Sequence, residues 1–116
     1  MQLPRLLLID DDVKVLRALA RMLRQAFDTT VAPTLIDARR FIAEESFDVI
    51  LCDMRMPSMN GESFVATLPA CVAARVVFMS GDEEAPGVVS MYPRLLKPFT
   101  VAELVSALGS RRPAAA

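Results

Sequence analysis

The sequence predicts an α/β domain in which five parallel strands form one sheet with helices on both faces. Short apolar runs alternate along the chain with segments whose apolar residues recur at helical spacing, the pattern of repeated β-α units. The apolar runs lack the polar–apolar alternation of half-exposed strands, which indicates strands buried on both sides. A length of 116 residues suits one such domain and is too short for two.

The first half of the chain supplies two strands and two helices. The run "RLLLI" (5–9) predicts the first strand, and residues 13–26 predict a helix with apolar residues on one side and basic residues on the other. Asp12 is placed to cap this helix. The β-rich "TTVA" (29–32) predicts the second strand, and Pro33-Thr34 then opens a second helix that is expected to end at about Glu45.

The second half supplies the other three strands. The apolar "DVILC" (48–52) predicts the third strand, and a turn is expected at Pro57 and Asn60-Gly61. Thr100 and Glu103 have the spacing of a capping box at the start of the last helix. The remaining elements are a helix, two strands and that last helix, predicted over residues 61–68, 75–79, 94–96 and 101–108.

The connection between the fourth and fifth strands is short. It consists of residues 81–93, interrupted by Pro86-Gly87. A helix running back along a five-residue strand needs roughly eleven residues at about 1.5 Å each, which leaves too few residues for a turn at both ends. The fourth helix is therefore predicted to be shortened or replaced by a loop.

The composition excludes several classes of function. Hydrophobic residues make up 53% of the chain and the net charge is −1, which argues against disorder and against direct nucleic-acid binding. No apolar run is long enough for a signal peptide or a membrane span, and two cysteines do not make a disulfide framework. We therefore expect a cytoplasmic location and no membrane partner. The absence of histidine excludes imidazole-based catalysis and zinc sites that need imidazole.

Polar residues stand at the ends of four predicted strands: Asp10 and Asp11, Asp53, Ser80, and Lys97. Because ligands of an open parallel sheet bind outside the carboxyl ends of its strands, these side chains are expected to meet. Clustered carboxylates need a compensating cation, and oxygen ligands without nitrogen or thiolate suit Mg²⁺. An aspartate beside such an ion and a lysine can accept a phosphoryl group. Asp53 is the predicted acceptor, although Asp53 taken alone also fits a turn-starting aspartate.

Four segments of the chain resemble the receiver domains of two-component response regulators. They are "LLLIDDD", "DVILCDMRMPSMNG", "VVFMSGD" and "LLKPF", in the family's order and at close to its spacing, and the resemblance covers roughly residues 5–108. It implies a flavodoxin-like sheet with the strand order 2-1-3-4-5. We therefore expect a receiver domain over residues 1–110 and a frayed tail at residues 111–116.

The resemblance implies which residues contact the phosphoryl group. Asp53 matches the phosphoacceptor, Lys97 the lysine that pairs with a phosphoryl oxygen, and Ser80 the hydroxyl that hydrogen-bonds the group and moves on activation. Met54 and Gly81 are expected to contact it as well. The bond between Lys97 and Pro98 is often cis in the family.

The resemblance also implies a metal site and a partner. Mg²⁺ (or Mn²⁺) is expected to be held by Asp10, Asp11, Asp53 and the backbone carbonyl of Arg55, with Asp11 as a direct ligand. The implied phosphoryl donor is a phosphohistidine on a sensor histidine kinase or a histidine phosphotransfer protein. Domains of a host protein are further candidate partners. The implied function is phosphorelay signalling, in which the domain catalyses its own phosphorylation and dephosphorylation but is not an enzyme acting on a separate substrate.

Two alternatives stay open. One is a Mg²⁺-dependent phosphohydrolase with an aspartate nucleophile, but such enzymes usually carry a second acid two residues after the nucleophile, where this chain has Arg55. The other is a degenerate receiver used only for protein docking, which the intact acids, Ser80 and Lys97 argue against.

The chain departs from the family at the aromatic residue that usually stands three positions before the lysine. Arg94 takes that position and Tyr92 lies two positions earlier, which puts the usual hydroxyl–aromatic coupling in doubt. Together with the short connection before Lys97, this departure predicts weaker dimerisation on phosphorylation.

A row of basic residues marks one side of the predicted first helix: Lys14, Arg17, Arg21 and Arg24. A solvated helix face is the simplest interpretation of this row. A docking surface for a kinase is the alternative.

Overall fold

The computed structural model describes residues 3–56, 59–80 and 92–109. Five of its strands form a parallel sheet in the order β2-β1-β3-β6-β7, which is the predicted order 2-1-3-4-5 when these strands are counted along the chain. The elements are β1 (Arg5–Ile9), α1 (Val13–Leu23), β2 (Asp28–Ala32), α2 (Leu35–Glu44), β3 (Val49–Asp53), β4 (Arg55–Met56), β5 (Met59–Asn60), α3 (Gly61–Ala66), α4 (Ala70–Ala73), β6 (Val76–Ser80), β7 (Arg94–Leu96) and α5 (Val101–Gly109).

Helices cover both faces of this sheet, as predicted. Alternate residues of each strand enter different cores because successive strand side chains point to opposite faces. Leu6 and Leu8 pack with Leu16 of α1 and Leu104 of α5. The other core contains Leu7 and Ile9 of β1, packed with Ala38 of α2 and Phe64 of α3. The central strands β3 and β6 are buried along their whole length, which explains their uninterrupted apolar sequence.

Capping groups fix the starts of two helices that flank the carboxyl edge of the sheet. The Asp12 carboxylate accepts hydrogen bonds from the N–H groups of Lys14 and Val15 at 2.9 and 3.4 Å. At α5 the Glu103 N–H donates to Thr100 Oγ1 at 3.1 Å, and the Thr100 N–H donates to Glu103 Oε1 at 3.0 Å. Both predicted caps are confirmed, and both helices therefore begin at defined positions next to the strand ends.

Arg5 joins three strands at the opposite edge of the sheet. Its N–H donates to the Asp48 carboxylate at 2.7 Å, and its guanidinium lies 5.1 Å from the centre of the Phe47 ring. The guanidinium also forms ion pairs with Glu45 and with Asp28. The hydrogen bond that the Arg5 guanidinium donates to Glu45 is the largest of the influences that raise the pKa of Arg5. This charged network lies at the amino ends of the strands, remote from the carboxyl edge, and its role is structural.

Several local predictions differ from the structure. The first helix ends at Leu23 and not at residue 26, because residues 24–26 form a turn. The predicted turn region after β3 contains the short antiparallel pair β4–β5, with Arg55 opposite Asn60. A further short helix, α4, follows Pro69 and contains Cys71.

The predicted loss of the fourth helix concerns residues 81–93, of which 81–91 lie outside the described residues. That part of the prediction stays a prediction. Among the described residues, no helix is long and apolar enough to cross a membrane.

Candidate functional site

The sheet brings the predicted polar residues to one edge. Asp53 is the last residue of β3 and Ser80 is the last residue of β6. Asp10 and Lys97 each lie one residue beyond a strand, β1 and β7 respectively, and still make backbone hydrogen bonds to the neighbouring strand. The Asp10 N–H donates to Ala32 O at 3.3 Å, and the Lys97 N–H donates to Ser80 O at 2.8 Å. Backbone hydrogen bonds therefore hold these residues at the same edge of the sheet.

Asp10 is a buried carboxylate with two hydrogen-bond donors. The residue is 1% exposed. One of its oxygens, Oδ1, accepts from the Asp12 N–H at 2.9 Å, and the other, Oδ2, accepts from Lys97 Nζ at 3.2 Å. Burial of a carboxylate is costly unless the charge is paired and hydrogen-bonded, and both conditions are met here. Asp12 thus has a second role that its position in the sequence did not reveal, because the Asp12 N–H anchors Asp10.

Lys97 is shared between two carboxylates. Its ammonium lies 3.2 Å from Asp10 Oδ2 and 3.5 Å from Asp53 Oδ1. Partial burial by itself lowers the pKa of Lys97, but the charges of Asp53 and Asp10 and their hydrogen bonds offset this effect, so the pKa is raised above its ordinary value of 10.5. Lys97 is therefore a permanent cation of the site at neutral pH.

Three carboxylates at this edge have a geometry that suits a metal ion. Each of Asp10, Asp11 and Asp53 offers an oxygen, and these oxygens all lie within 4.8 Å of one another. Asp10 is buried and Asp11 is exposed, so the cluster opens to solvent on the side of Asp11. A donor set made only of carboxylate oxygens suits Mg²⁺, which binds one or two carboxylates and retains several waters. The residues present therefore fit the predicted ion.

Three other predicted site residues are less directly supported. Met54 follows Asp53, but its side chain packs in the core and its N–H donates to Met79 O at 3.0 Å. Arg55 lies in β4, two residues after Asp53. The phosphoryl contact of Met54 and the metal contact of the Arg55 carbonyl stay predictions. Gly81 lies outside the described residues.

Ser80 reaches the same edge from the other side of β3. It is 3% exposed. Ser80 stands opposite Leu96 in the ladder, one residue before Lys97. The bond between Lys97 and Pro98 is cis, as the resemblance implied.

Cys52 directly precedes Asp53 in the chain, and its thiol is poorly suited to be a nucleophile. Burial, and secondly the charge of Asp53, raises the pKa of the Cys52 thiol far above neutrality. Its Sγ donates to Asp53 O at 3.3 Å. Cys52 therefore acts as a small core residue.

Tyr92 packs against the strand that carries Ser80. Its ring meets Phe78 edge to face, with 5.6 Å between ring centres and 82° between ring planes. Arg94 stands opposite Phe78 in the ladder, at the position where the family usually has its aromatic residue. Tyr92, two positions before Arg94, thus supplies the aromatic ring on this face.

Comparison with protein families decides the identity of the domain. The family described as "Response regulator receiver domain" matches residues 6–109. The chain belongs to this family. Receiver domains bind Mg²⁺ through an aspartate cluster and are phosphorylated on aspartate by histidine kinases, and this chain brings Asp10, Asp11 and Asp53 together in such a cluster.

Curated relatives of this receiver domain include longer transcriptional regulators. It is 37% identical over 113 residues to the transcriptional regulatory protein PrrA of Mycobacterium tuberculosis, covering 89% of this chain and 47% of that protein. It is 30% identical over 107 residues to the hydrogenase transcriptional regulatory protein HoxA of Bradyrhizobium diazoefficiens, covering 86% of this chain and 22% of that protein. The chain spans about half, or less, of the length of these relatives.

Solved structures of receiver domains have the same fold. A response regulator receiver domain protein of Clostridium thermocellum superposes with a TM-score of 0.82 at 23% identity, covering 94% of both chains. The receiver domain of the Francisella response regulator 1452 gives a TM-score of 0.77 at 28% identity, covering 94% of this chain and 96% of that chain. The predicted fold class is therefore confirmed.

Proposed function

We propose that this receiver domain transfers a phosphoryl group from a phosphohistidine of a partner protein to Asp53. The observation that carries this proposal is the position of Lys97, whose ammonium bridges Asp53 and the buried Asp10 beside the exposed Asp11. A single cation held against two carboxylates and next to a third is the electrostatic arrangement that a transferring phosphoryl group requires.

The proposed transfer is a nucleophilic substitution at phosphorus. An oxygen of the Asp53 carboxylate forms a new bond to phosphorus while the bond between phosphorus and the donor's imidazole nitrogen breaks. The imidazole nitrogen leaves with the electron pair of that bond and takes a proton from solvent. The product is an aspartyl phosphate, a mixed anhydride in which Asp53 carries the phosphoryl group.

Each neighbouring residue has a distinct role in this proposal. Lys97 shifts its contact from Asp53 to a phosphoryl oxygen and so neutralises charge as the group transfers. Asp10, held by the Asp12 N–H, keeps Lys97 in place throughout. Ser80 donates its hydroxyl to another phosphoryl oxygen. Mg²⁺, when bound by Asp11 and Asp53, supplies charge neutralisation at the phosphoryl oxygens.

Membership of the receiver family supports the proposed class of phosphoryl donor. Response regulators receive phosphate from histidine kinases, so we propose a sensor histidine kinase or a histidine phosphotransfer protein as the donor. We further propose that the receiver domain comprises residues 1–110 and acts in the cytoplasm. Because the relatives are longer transcriptional regulators, an output domain of a host protein is the proposed recipient of the signal.

A phosphohydrolase is the weaker assignment. Such an enzyme needs an acid–base residue close to its aspartate nucleophile, and the residue two positions after Asp53 is Arg55. The pairing of Lys97 with Asp10 and Asp53 also argues against a degenerate receiver, since a domain used only for docking has no need of it.

Phosphorylation by a small donor tests the proposed function without knowledge of the partner. The chain is incubated with acetyl phosphate in Mg²⁺ or in EDTA, and its intact mass is measured. The proposal expects one added phosphoryl group in Mg²⁺ only, which hydroxylamine removes because an acyl phosphate is labile to it. A chain that stays unmodified in Mg²⁺, or a phosphoryl group stable to hydroxylamine, would contradict the proposal.

A further inference from the structure

β2 is an edge strand of the parallel sheet, and β1 is its only neighbour among the described residues. In a parallel ladder, successive residues of a strand direct their N–H and C=O groups to alternate sides. The Asp28 N–H donates to Pro4 O at 2.9 Å, so Asp28 and every second residue after it face β1. The N–H and C=O groups of Thr29 and Val31 therefore face outward, and no backbone partner for them occurs in the part of the chain that the structure describes. An edge of this kind is a template for pairing with a further strand.

A crevice of about 660 Å³ opens between the last turns of α1 and the first residues of β2. Its wall is partly apolar, because Leu3, Ala20 and Phe27 line it. Thr29 also lines it, and the Thr29 Oγ1 atom is buried without a hydrogen-bond partner within the described residues. Thr29 lies on the α1 side of the sheet, because Leu6 opposite it packs in the core that α1 covers. A strand added to β2 would direct every second side chain to this side, where the crevice has room for a large apolar group.

Arg24 gives the crevice an uncompensated positive charge. Arg5, a second cation in its wall, is paired with Asp28 and Glu45. Arg24 is exposed, and within residues 3–56, 59–80 and 92–109 its guanidinium has no ion pair or hydrogen bond. Its position at the C-terminal end of α1 is favourable for a cation and leaves the guanidinium available to a partner. An acidic side chain at the crevice would therefore gain a charge-assisted hydrogen bond to Arg24.

We propose that the β2 edge and this crevice bind an extended polypeptide segment of a partner protein. The segment pairs with the outward groups of Thr29 and Val31, places an apolar side chain in the crevice and places an acidic side chain against Arg24. In strand addition of this type, main-chain hydrogen bonds supply affinity and pockets for alternate side chains supply selectivity. The crevice lies at the amino end of β2, opposite to the edge that carries Asp53, so this binding site is independent of the proposed phosphotransfer.

An extended polypeptide fits the site better than a small molecule or a second copy of the chain. A small carboxylate can reach Arg24, but it leaves the outward backbone groups of β2 unpaired. Two β2 edges related by two-fold symmetry pair antiparallel. A pair centred on Thr30 places the second copy's Asp28 opposite Ala32, at the far end of the strand from Arg24. The second copy therefore brings no acid to the crevice.

Amide hydrogen exchange tests whether a strand pairs with β2. The probe is the peptide acetyl-Thr-Phe-Thr-Glu-Thr-amide, in which the Phe and Glu side chains lie on the same side when the peptide is extended. At a peptide concentration about ten times its dissociation constant, exchange of the Thr29 and Val31 amides should slow about tenfold. The Thr30 amide faces β1 and should keep its exchange rate.

Backbone methylation of the peptide separates strand addition from simple charge attraction. One control peptide carries N-methyl groups on its first, third and fifth residues, and the other carries them on its second and fourth. Only one of these sets of N–H groups can face β2 in an added strand. One control should therefore bind at least about tenfold more weakly, and the other should bind like the parent peptide.

Charge reversal tests the role of Arg24. Arg24→Glu should weaken binding of the peptide about tenfold, and exchange of Glu for Lys in the peptide should restore it. Arg17→Glu is the matched control, because it makes the same change at an exposed position of α1 outside the wall of the crevice, and it should bind like wild type. Amide spectra that match wild type away from the substitution show that the variants are folded.

Four results would overturn the proposal. The peptide could leave exchange at Thr29 and Val31 unchanged. Both N-methylated peptides could bind equally, which would indicate an anion site without strand addition. Arg24→Glu and Arg17→Glu could have equal effects, which would exclude the acidic contact. Protection of Thr29 and Val31 could appear without peptide and rise with protein concentration, which would assign the edge to a second copy of the chain.

Discussion

The ammonium of Lys97 lies 3.2 Å from Asp10 Oδ2, although 87 positions separate the two residues in the chain. The same ammonium lies 3.5 Å from Asp53 Oδ1. The fold therefore places the Lys97 ammonium between two carboxylates: Asp10, which is almost completely buried, and Asp53, which lies at the edge of the sheet. Asp10 has both of its oxygens occupied by donors, whereas Asp11 is exposed and has none among the described residues. This difference between neighbouring acids leads to separate predictions for each residue.

Removal of the Lys97 ammonium should impair binding of a phosphoryl mimic. In Lys97→Ala we expect Mg²⁺-dependent beryllofluoride binding to weaken at least about tenfold, because a charge-assisted hydrogen bond to the mimic is lost. Lys14→Ala is the matched control, since it removes the chain's other lysine from an exposed position. Titration of both variants at saturating Mg²⁺ measures the effect. Equal losses would mean that Lys97 does not contact the group.

Asp11→Asn should stabilise the metal-free protein. The Asp11 carboxylate lies within 4.8 Å of two other carboxylates and lacks a compensating donor among the described residues. Its neutralisation should raise the free energy of unfolding in EDTA by about 1 kcal/mol, the Coulomb repulsion of charges at this separation in a medium close to water. Urea denaturation in EDTA and in Mg²⁺ measures this change, and in Mg²⁺ the variant should lose most of the stabilisation that the ion gives wild type.

Asp48→Asn is the control for this prediction. Asp48 is exposed and lies at the opposite edge of the sheet, where it accepts the Arg5 N–H at 2.7 Å. Its variant should lose stability in EDTA and keep the full response to Mg²⁺. A destabilised Asp11→Asn variant that still responds to Mg²⁺ like wild type would contradict the assignment of Asp11 as a direct ligand.

The ion pairs of Lys97 should make stability depend on pH in the alkaline range. Because the folded-state pKa of Lys97 is raised above its ordinary value of 10.5, its contribution is complete below that pH and is lost as pH rises through the folded-state pKa. The difference in free energy of unfolding between wild type and Lys97→Met should therefore be constant up to about pH 10 and shrink above it. Denaturation in EDTA from about pH 8 to about pH 12 measures this difference. A difference that grows with pH would show that Lys97 is not held by the two carboxylates.

The strands and the strand-end residues could be predicted because local signals specify them. The apolar runs of β1 and β3, and the capping box at Thr100, act through nearest neighbours in the chain, and the structure has them at the predicted places or within one residue of them. The ends of β3 and β6 lie one residue later than predicted, so Asp53 and Ser80 belong to the strands themselves. Element boundaries are set by the full ladder of hydrogen bonds, which a local pattern does not contain.

The arrangement within the site could not be predicted from local signals. Asp10 and Asp11 are adjacent and chemically identical, yet one is 1% exposed and bonded to Lys97 while the other faces solvent. This difference has two causes. Successive side chains along a strand point to opposite faces, and the start of α1 positions the Asp12 N–H that donates to Asp10. The short helix α4 was missed for a related reason. It has four residues and no side-chain cap, so its sequence carries little helical signal.

The most direct test of the central claim locates the phosphoryl group. Wild type, Asp53→Asn and Asp48→Asn are treated with acetyl phosphate in Mg²⁺, and each intact mass is measured. Asp48 directly precedes β3, and Asp53 is the last residue of the same strand. The Asp48 variant is therefore a matched control for loss of one carboxylate at the opposite edge of the sheet. We predict one added phosphoryl group on wild type and on Asp48→Asn, and none on Asp53→Asn. A phosphorylated Asp53→Asn protein would place the acceptor elsewhere and contradict the account.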